Sequence, residues 1–344
     1  MVTMNDVARH AGVAVSTVSY ALNGTRPISE ETRRRIEASM DELGYRPHAV
    51  ARALASKRSR IIALLLPAVR RGLGHTEFDF VAGAVEAAGE HGYHLVVWSS
   101  EFSEGAELEQ LVGQGLVDGV ILMEVRLDDD RVRVLTEHGR PFALIGRTED
   151  TSDLSFVDID FAQTTRDALA YLRGLGHERI AFVNHARAEF DGGYGPAVRA
   201  LAGFGAAAAD QGIEAITRFC DDSPAGGREV AAELLDAHPD LTALVVMNDR
   251  AVPGFLQVLA ERGRRVPDDV SIVSIVSSVV TAEMTVPALT VLAPRSHELG
   301  RRGVELVLRS IEPGDAELTQ DLLPCDLVVG SSTGPRPERR PQRV

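Results

Sequence analysis

Val13-Ala14-Val15-Ser16-Thr17-Val18-Ser19-Tyr20, inside the stretch Thr3 to Tyr45, is the run on which the reading of this chain turns. Thr3 is a good N-cap, and Asp6 three residues on makes a capping-box arrangement. Val7, Ala8 and Ala11 then fall on one face of a short helix that Gly12 ends. After one tight turn a second helix begins near Val15, with Val18, Ala21 and Leu22 on its apolar face. Its opposite face carries Ser16, Thr17, Ser19 and Tyr20. A third helix starts at Ser29, with Glu30 and Glu31 in the first turn, where the helix dipole favours negative charge. It buries Ile36, Met40 and Leu43 before Gly44 closes it.

Two short helices joined by a Gly-containing turn, with a supporting third, form the helix-turn-helix pattern. Small polar residues and a Tyr on the outer face of the second helix suit a major groove; a core would want bulky apolar ones. On pattern alone, a three-helix module that binds protein is the alternative. The run MNDVARHAGVAVSTVSYALNG, followed by ISEETRRRIEASMDELGYRPHAVARAL, resembles the DNA-binding head of the LacI (lac-repressor, GalR-type) family of bacterial transcription regulators. The resemblance implies that Val15, Ser16 and Tyr20 face base edges, while Thr17, Ser19, Asn23 and backbone amides hold phosphates; Thr3 belongs to the same DNA-contacting set. Val15 and Ser16 are small, and would read a thymine methyl or one polar edge weakly. Tyr20 stands where the family frequently has Arg, which departs from a guanine contact there.

Arg46-Pro47 breaks the helical run, and His48 to Leu54 is Ala-rich and too short to be a stable helix in water. In the resembled family this segment is a hinge helix that folds when two subunits meet on operator DNA and wedges a leucine into the minor groove. By position that leucine is Leu54, with Ala51 and Arg52 beside it. His48 replaces a usual Asn, and Ala53 a common Ser. A plain linker is the other reading.

The charge is unevenly distributed. The 344 residues carry a formal −14, yet residues 1–60 hold ten Lys and Arg against six Asp and Glu, a net +4. The remainder carries 26 against 44, a net −18. A basic head on an acidic body is expected when only the head touches phosphates. No run of 18 apolar residues exists and the N-terminus lacks a signal peptide's apolar core, so no membrane partner and a cytoplasmic location are expected. Two distant cysteines, Cys220 and Cys325, read as structural thiols rather than a disulfide.

Beyond Arg60, continuous apolar runs alternate with amphipathic helices. Strands are expected at Ile61–Leu66, Tyr93–Trp98, Gly119–Met123, Phe142–Ile145, Ile180–Val183, Ala243–Met247 and Val270–Ile275. Helices are expected at Glu107–Gln114, Thr164–Leu175, Arg228–His238 and Val252–Arg262. Such alternation means parallel sheets buried on both faces, and seven units favour two doubly wound α/β lobes over one sheet. Segments around Val157–Phe161, Ala288–Leu292 and Leu322–Leu327 read as crossings between lobes. The whole is similar to the periplasmic-binding-protein-like core of the same family, with Gly176-His177, Asn248-Asp249 and Glu298-Leu299-Gly300 among its marks. The expected organisation is a head at 1–46, hinge and linker at 47–60, and a core at 61–333. Lobe one takes about 61–158 and 291–321, and lobe two 159–290 and 322–333. The Pro- and Arg-rich tail 334–344 is expected to be disordered.

Ligands of open α/β sheets bind beyond the carboxyl ends of the strands, and facing lobes turn that edge into a cleft. Its expected lining in lobe one is Arg71, His75, Phe78, Ser100, Glu124, Arg126 and Arg147. Lobe two adds Asp160, Asn184 with His185, Tyr194, Asp221, Asn248, Asp249 and Ser277. Polar groups among scattered aromatics suit a small polyhydroxylated effector, possible carbohydrates included. The resemblance makes Asn248 an effector contact and Asp249 either its partner or a helix cap. It also exposes two departures. Ala200 stands where many sugar-responsive members have Arg, with Arg199 adjacent but about 100° round the helix. Val276 and Ser277 replace a frequent Asp pair.

No His, Cys, Asp or Glu spacing reads as a metal site, and no cofactor is expected. Gly72-Leu73-Gly74 begins a dinucleotide loop, but Glu77 occupies the third glycine's place, and no Walker A string is present. His177, in a Gly-His turn before a strand, reads as a packing residue; His75 is open between packing and ligand roles. The expected function is a homodimeric, effector-controlled regulator of pseudo-palindromic operator DNA, a repressor by preference, and not an enzyme. The alternatives are a solute-binding protein, which would need export and no head, and an enzyme re-using the fold.

Overall fold

The computed structural model describes residues 2–23, 26–45, 58–66, 73–98, 108–109, 112–312 and 317–338. The hinge residues His48, Ala51, Arg52 and Leu54, and the expected cleft residues Arg71 and Ser100, lie outside the described residues.

The head is three helices, α1 (Met4–Ala11), α2 (Val15–Asn23) and α3 (Glu30–Leu43). Thr3 and Asp6 cap α1 reciprocally: the Thr3 hydroxyl accepts from the Asp6 amide at 3.4 Å, and the Asp6 carboxylate accepts from the Thr3 amide at 3.0 Å. Gly12 and Gly44 stop α1 and α3 at φ of 62° and 64°, a region that penalises a side chain and not glycine. Ser29 is the cap of α3 rather than its first residue, accepting from the Thr32 amide at 3.2 Å. Val7, Ala8, Ala11, Val18 and Ile36 form a small core, with Ala21, Leu22, Met40 and Leu43 packed around it.

The core strands are β1 (Ile61–Leu65), β2 (His94–Trp98), β3 (Gly119–Met123), β4 (Phe142–Ile145), β5 (Phe156–Ile159), β6 (Arg179–Asn184), β7 (Glu214–Phe219), β8 (Ala243–Val246), β9 (Ser271–Ile275), β10 (Thr290–Ala293), β11 (Gln320–Leu323) and β12 (Asp326–Val328). They form two sheets, ordered β11-β5-β4-β3-β1-β2 and β12-β10-β9-β8-β6-β7. All pairings are parallel except β10 with β12. β3, β8 and β9 are buried along their whole length, because helices cover both faces of each sheet.

Three details differ from the sequence reading. β7 was not anticipated: Glu214-Ala215-Ile216-Thr217-Arg218-Phe219 mixes polar and apolar residues because it is an edge strand with exposed positions. The lobe limits move by a few residues. β5 stays in the first sheet through Ile159, β10 belongs wholly to the second sheet through Ala293, and β11 to the first through Leu323. The crossings are therefore strand–strand junctions, the last at Pro324-Cys325. The tail is not wholly loose either. His177 Nε2 donates to the Gly334 carbonyl at 3.1 Å, the Arg336 amide donates to the Leu175 carbonyl at 2.8 Å, and Arg336 pairs with Glu178 at 2.5 Å. Residues 334–338 are thus held on lobe two, and 339–344 lie outside the described residues. Fully buried His177, also bonded to Thr242 and Ser271, is a packing residue as read.

In lobe one the helix His75–Glu90 crosses the helix Ser296–Ile311 almost backbone to backbone. A Cβ on Gly83 would sit 2.0 Å from the His297 carbonyl oxygen, and one on Gly300 would sit 2.1 Å from that of Phe80. This close crossing fixes the amino-terminal end of the first helix beside the cleft.

Candidate functional site

A cavity of about 130 Å³ lies between the lobes, beyond the carboxyl ends of the strands. Lobe one contributes His75, Thr76, Glu77 and Phe80 from the first turns of a helix, Glu124 after β3, Gly146 after β4 and Asp158 on β5. Lobe two contributes His185 after β6, Tyr194, Asp222 after β7, Asn248, Asp249 and Arg250 after β8, and Val276 after β9. The lobes also touch beside it: the Ser278 amide donates to the Thr76 hydroxyl at 3.1 Å, and the Leu127 amide to the Gly193 carbonyl at 2.8 Å.

Two lining residues hold unusual backbone. Glu124 has φ 50° and Val276 φ 58°, left-handed values that are rare for any side chain and rarer for a β-branched one. Each turns the chain sharply where a strand meets the cleft. Such outliers persist where surrounding structure over-determines them, as at ligand sites.

Of the cleft residues expected from sequence, His75, Glu124, His185, Tyr194, Asn248 and Asp249 line the cavity. Asn248 is buried, and its amide nitrogen donates to the Cys220 carbonyl at 3.0 Å. Asp249 opens the short turn after β8, and its carboxylate accepts from the Ser277 hydroxyl at 3.0 Å, which brings Ser277 in at one remove. Burial pushes the Asp249 carboxyl up, the Ser277 bond opposes this, and the charge of Glu77 across the cleft adds to it.

Arg147 reaches the site through Asp158, pairing with it at 2.9 Å. Burial raises the Asp158 carboxyl to about 6, against the opposing charges of Arg147 and then Arg199. Arg199 is not at the cavity. Its guanidinium crosses from lobe two to donate to the Thr148 carbonyl at 2.9 Å, and burial and then Arg147 pull its proton affinity down. Asp160 caps the helix Phe161–Gly174, accepting from the Gln163 amide at 2.9 Å. Phe78 is exposed on the far side of its helix from Thr76, Glu77 and Phe80. Asp222, not its neighbour Asp221, meets the cavity, where it accepts from or is paired with His185 Nδ1 at 3.1 Å.

Glu77, Asp158, Asp222 and Arg250 escaped the sequence reading. Glu77 was legible as a first-turn acid: its carboxylate accepts from the Gly74 amide at 2.9 Å at the cleft-facing helix end. Asp158 lies inside a strand of otherwise apolar residues, a signal in itself. Among the described residues, no group of three or more His, Cys, Asp or Glu could hold a metal ion. No helix among them is long and apolar enough to cross a membrane. Buried Cys220 and Cys325 are free, and burial raises both thiols to about 12.

In the head, Val15 and Ser16 are exposed on α2, and Thr17, Ser19 and Tyr20 are half-buried. The guanidinium of Arg26 lies 5.4 Å from the Tyr20 ring centroid, over its face. Arg33 donates to the Ala21 carbonyl at 3.4 Å and so ties α3 to α2.

A family model described as bacterial regulatory proteins, lacI family, matches residues 3–48, and one described as a periplasmic binding protein-like domain matches residues 169–333. The chain is 31% identical over 345 residues to the HTH-type transcriptional regulator DegA of Bacillus subtilis, covering 97% of this chain and 98% of that protein. The structure of the lac repressor dimer bound to operator and the anti-inducer ONPF is similar over 97% of this chain and 99% of that one, with 28% identity and a TM-score of 0.81. The complex of the transcriptional regulator CelR with cellobiose is similar over 96% and 100%, with 28% identity and a TM-score of 0.72.

Proposed function

Because this chain belongs to the lacI family of bacterial transcription regulators, we propose that it is a repressor that binds pseudo-palindromic operator DNA as a homodimer and answers to a polar effector in its cleft. One observation carries the reading. A net-cationic three-helix head, with small side chains exposed on its second helix, is followed by an acidic two-lobed core whose inter-lobe cavity mixes carboxylates and imidazoles with apolar and aromatic side chains.

The effector is a small polyhydroxylated molecule of the carbohydrate class. Carboxylates, an amide and two imidazoles offer paired hydrogen bonds, and Phe80 and Tyr194 offer ring faces. The cellobiose complex of a relative supports that class. The chain's own departures at Ala200, Val276 and Ser277 mean that the contacts differ from an Arg- and Asp-based sugar pocket. The relatives are named transcriptional regulators, which supports a sensing role rather than turnover. A DNA-bound regulator works in the cytoplasm.

A second copy covers apolar residues exposed on both lobes: Val85, Val96 and Val97 on the first, Val280, Met284 and Val286 on the second. The effector then acts by differential affinity for two arrangements of the lobes. One arrangement brings the segments around Leu54 together in the minor groove, and the other separates them.

Selection from a random duplex pool by the purified full-length chain tests this. An inverted repeat should emerge, and candidate sugars should change its affinity. Equal binding of all duplexes at modest ionic strength, with and without sugars, sinks the proposal.

A further inference from the structure

We infer that the effector is an amino sugar, a polyol carrying a protonated amine, and that Asp249 is the carboxylate that takes its ammonium. The inference rests on the proposed carbohydrate-class effector and adds the charge that this ligand must carry.

The charge on the cavity wall is one-sided. Among the described residues lining it, Glu77, Glu124, Asp158, Asp222 and Asp249 are carboxylates, and Arg250 is the one arginine or lysine. Arg147 stands behind the wall and pairs with Asp158 at 2.9 Å, while Arg199 is turned onto the Thr148 carbonyl. Five carboxylates against the guanidiniums of Arg250 and Arg147 leave a net −3 with the imidazoles neutral. Between two packed lobes such an excess is screened far less than on an open surface. Asp249 feels it: burial pushes its carboxyl up, and the charge of Glu77 adds to the push.

Hydrogen-bonding capacity points the same way. Asn248 is only 2% exposed, and its side-chain nitrogen is held by the Cys220 carbonyl. What Asn248 offers the cavity is therefore its oxygen, an acceptor. Next to it, Asp249 Oδ2 accepts from the Ser277 hydroxyl, which leaves Oδ1 as a further acceptor. Two adjacent residues thus call for donors. An ammonium has three and no lone pair, and it brings the missing counter-charge as well. A neutral hydroxyl supplies one proton and leaves the carboxylate's charge unanswered.

The other acids have partners suited to them. Asp158 has Arg147, Asp222 has His185 at 3.1 Å, and Glu77 accepts from the Gly74 amide at 2.9 Å. Asp249 has a neutral hydroxyl. Phe80 and Tyr194 give the sugar ring its apolar faces. A metal ion is not the missing cation, since no group of three or more His, Cys, Asp or Glu among the described residues could hold one.

Calorimetric titration of the full-length chain at pH 6.5 tests this with two matched pairs. They are glucose against glucosamine, and cellobiose against the glucosamine disaccharide of the same linkage. In each pair an ammonium replaces a hydroxyl. The amine should bind about tenfold tighter or more, and N-acetylation, which removes the charge, should abolish the advantage. Asp249→Asn keeps the size of the side chain and an acceptor for Ser277. It should bring the members of each pair within about threefold of one another. It should also raise the urea midpoint of the ligand-free chain, because one of several crowded negative charges is gone.

Neutral sugars that match or outbind their amines overturn the inference and leave the carbohydrate reading standing. An amine preference that survives in Asp249→Asn gives the ammonium to another carboxylate and overturns the assignment. An unchanged or lower urea midpoint in that variant means that the empty cavity is already balanced, which also overturns it. If no sugar of either kind binds while the chain still holds a selected inverted repeat, the carbohydrate reading has failed and the inference falls with it.

Discussion

The Ser277 hydroxyl donates a 3.0 Å hydrogen bond to the Asp249 carboxylate, joining the chain after β9 to the cavity-lining turn after β8. Ser277 is fully buried, and Asp249 is a carboxyl pushed up by burial that this bond pulls back. Removing the donor leaves a desolvated carboxylate short of a partner. Ser277→Ala should therefore lower stability by about 1–3 kcal/mol. Urea denaturation at pH 7 reads this, and an unchanged midpoint would remove the bond from the energetics.

Asp158 should give the core a distinctive pH dependence. Its carboxyl is raised from 3.8 to about 6 in the fold, so between those values the folded chain holds more protons than the unfolded one. Its contribution is fully present below about 3.8 and is lost as pH rises through 6. The size is up to roughly 3 kcal/mol, taking 1.36 kcal/mol per unit. Urea midpoints of wild type and Asp158→Asn, taken at pH 4.5, 5.5 and 7, should diverge across this window. Parallel curves would mean that Asp158 titrates alike in both states.

Pairing of two copies through Met284 and Val286 predicts a clear mutant phenotype. Both side chains are highly exposed in one chain, at 68% and 91%. Met284→Asp with Val286→Asp should convert dimer to monomer in sedimentation at micromolar concentration. Operator affinity should fall by tenfold or more, because one head cannot span two half-sites. Dimers that persist would place the contact on another face.

Leu54 carries the proposed coupling of core to DNA. Leu54→Ala should weaken operator binding about tenfold or more while leaving effector binding nearly unchanged, because the wedge that stabilises kinked DNA is lost. Equal losses of both affinities would count against a hinge acting in the minor groove.

Cys220 and Cys325 should be silent toward thiol reagents in the native chain. Burial excludes the reagent and raises both thiols to about 12, so little thiolate exists at pH 8. Disulfide-exchange titration should count two thiols per chain only after denaturant is added. Fast native labelling would mean that lobe two opens locally.

The legible parts of the chain are those where neighbours in sequence decide structure. Thr3 with Asp6, Gly12 and Gly44 mark helix ends because the groups they satisfy lie within three or four residues. Continuous apolar runs such as Gly119–Met123 announce strands covered on both faces. β7 stayed hidden because an edge strand keeps polar residues at its exposed positions, and its sequence then lacks the apolar signature.

The cleft was only partly legible for a related reason. Strand ends name which loops face it, and they led to Glu124, Tyr194, Asn248 and Asp249. They do not say which way a side chain turns once there. Arg199 and Asp160 were spent on structure, the first on the Thr148 carbonyl and the second on a helix cap. Phe78 lost its place to helix rotation, while Glu77, one residue earlier, took the cleft.

By itself the sequence determined the helix-turn-helix head, the α/β class of the core and the separation of positive from negative charge. Those depend on local spacing and on composition, which need no distant partner. Tertiary structure alone decided that Asp249 leans on Ser277, that Asp158 holds Arg147, and that Arg26 lies over Tyr20. Each of these pairs is non-adjacent in sequence, and only the packing of helices and sheets brings its members within bonding or stacking distance.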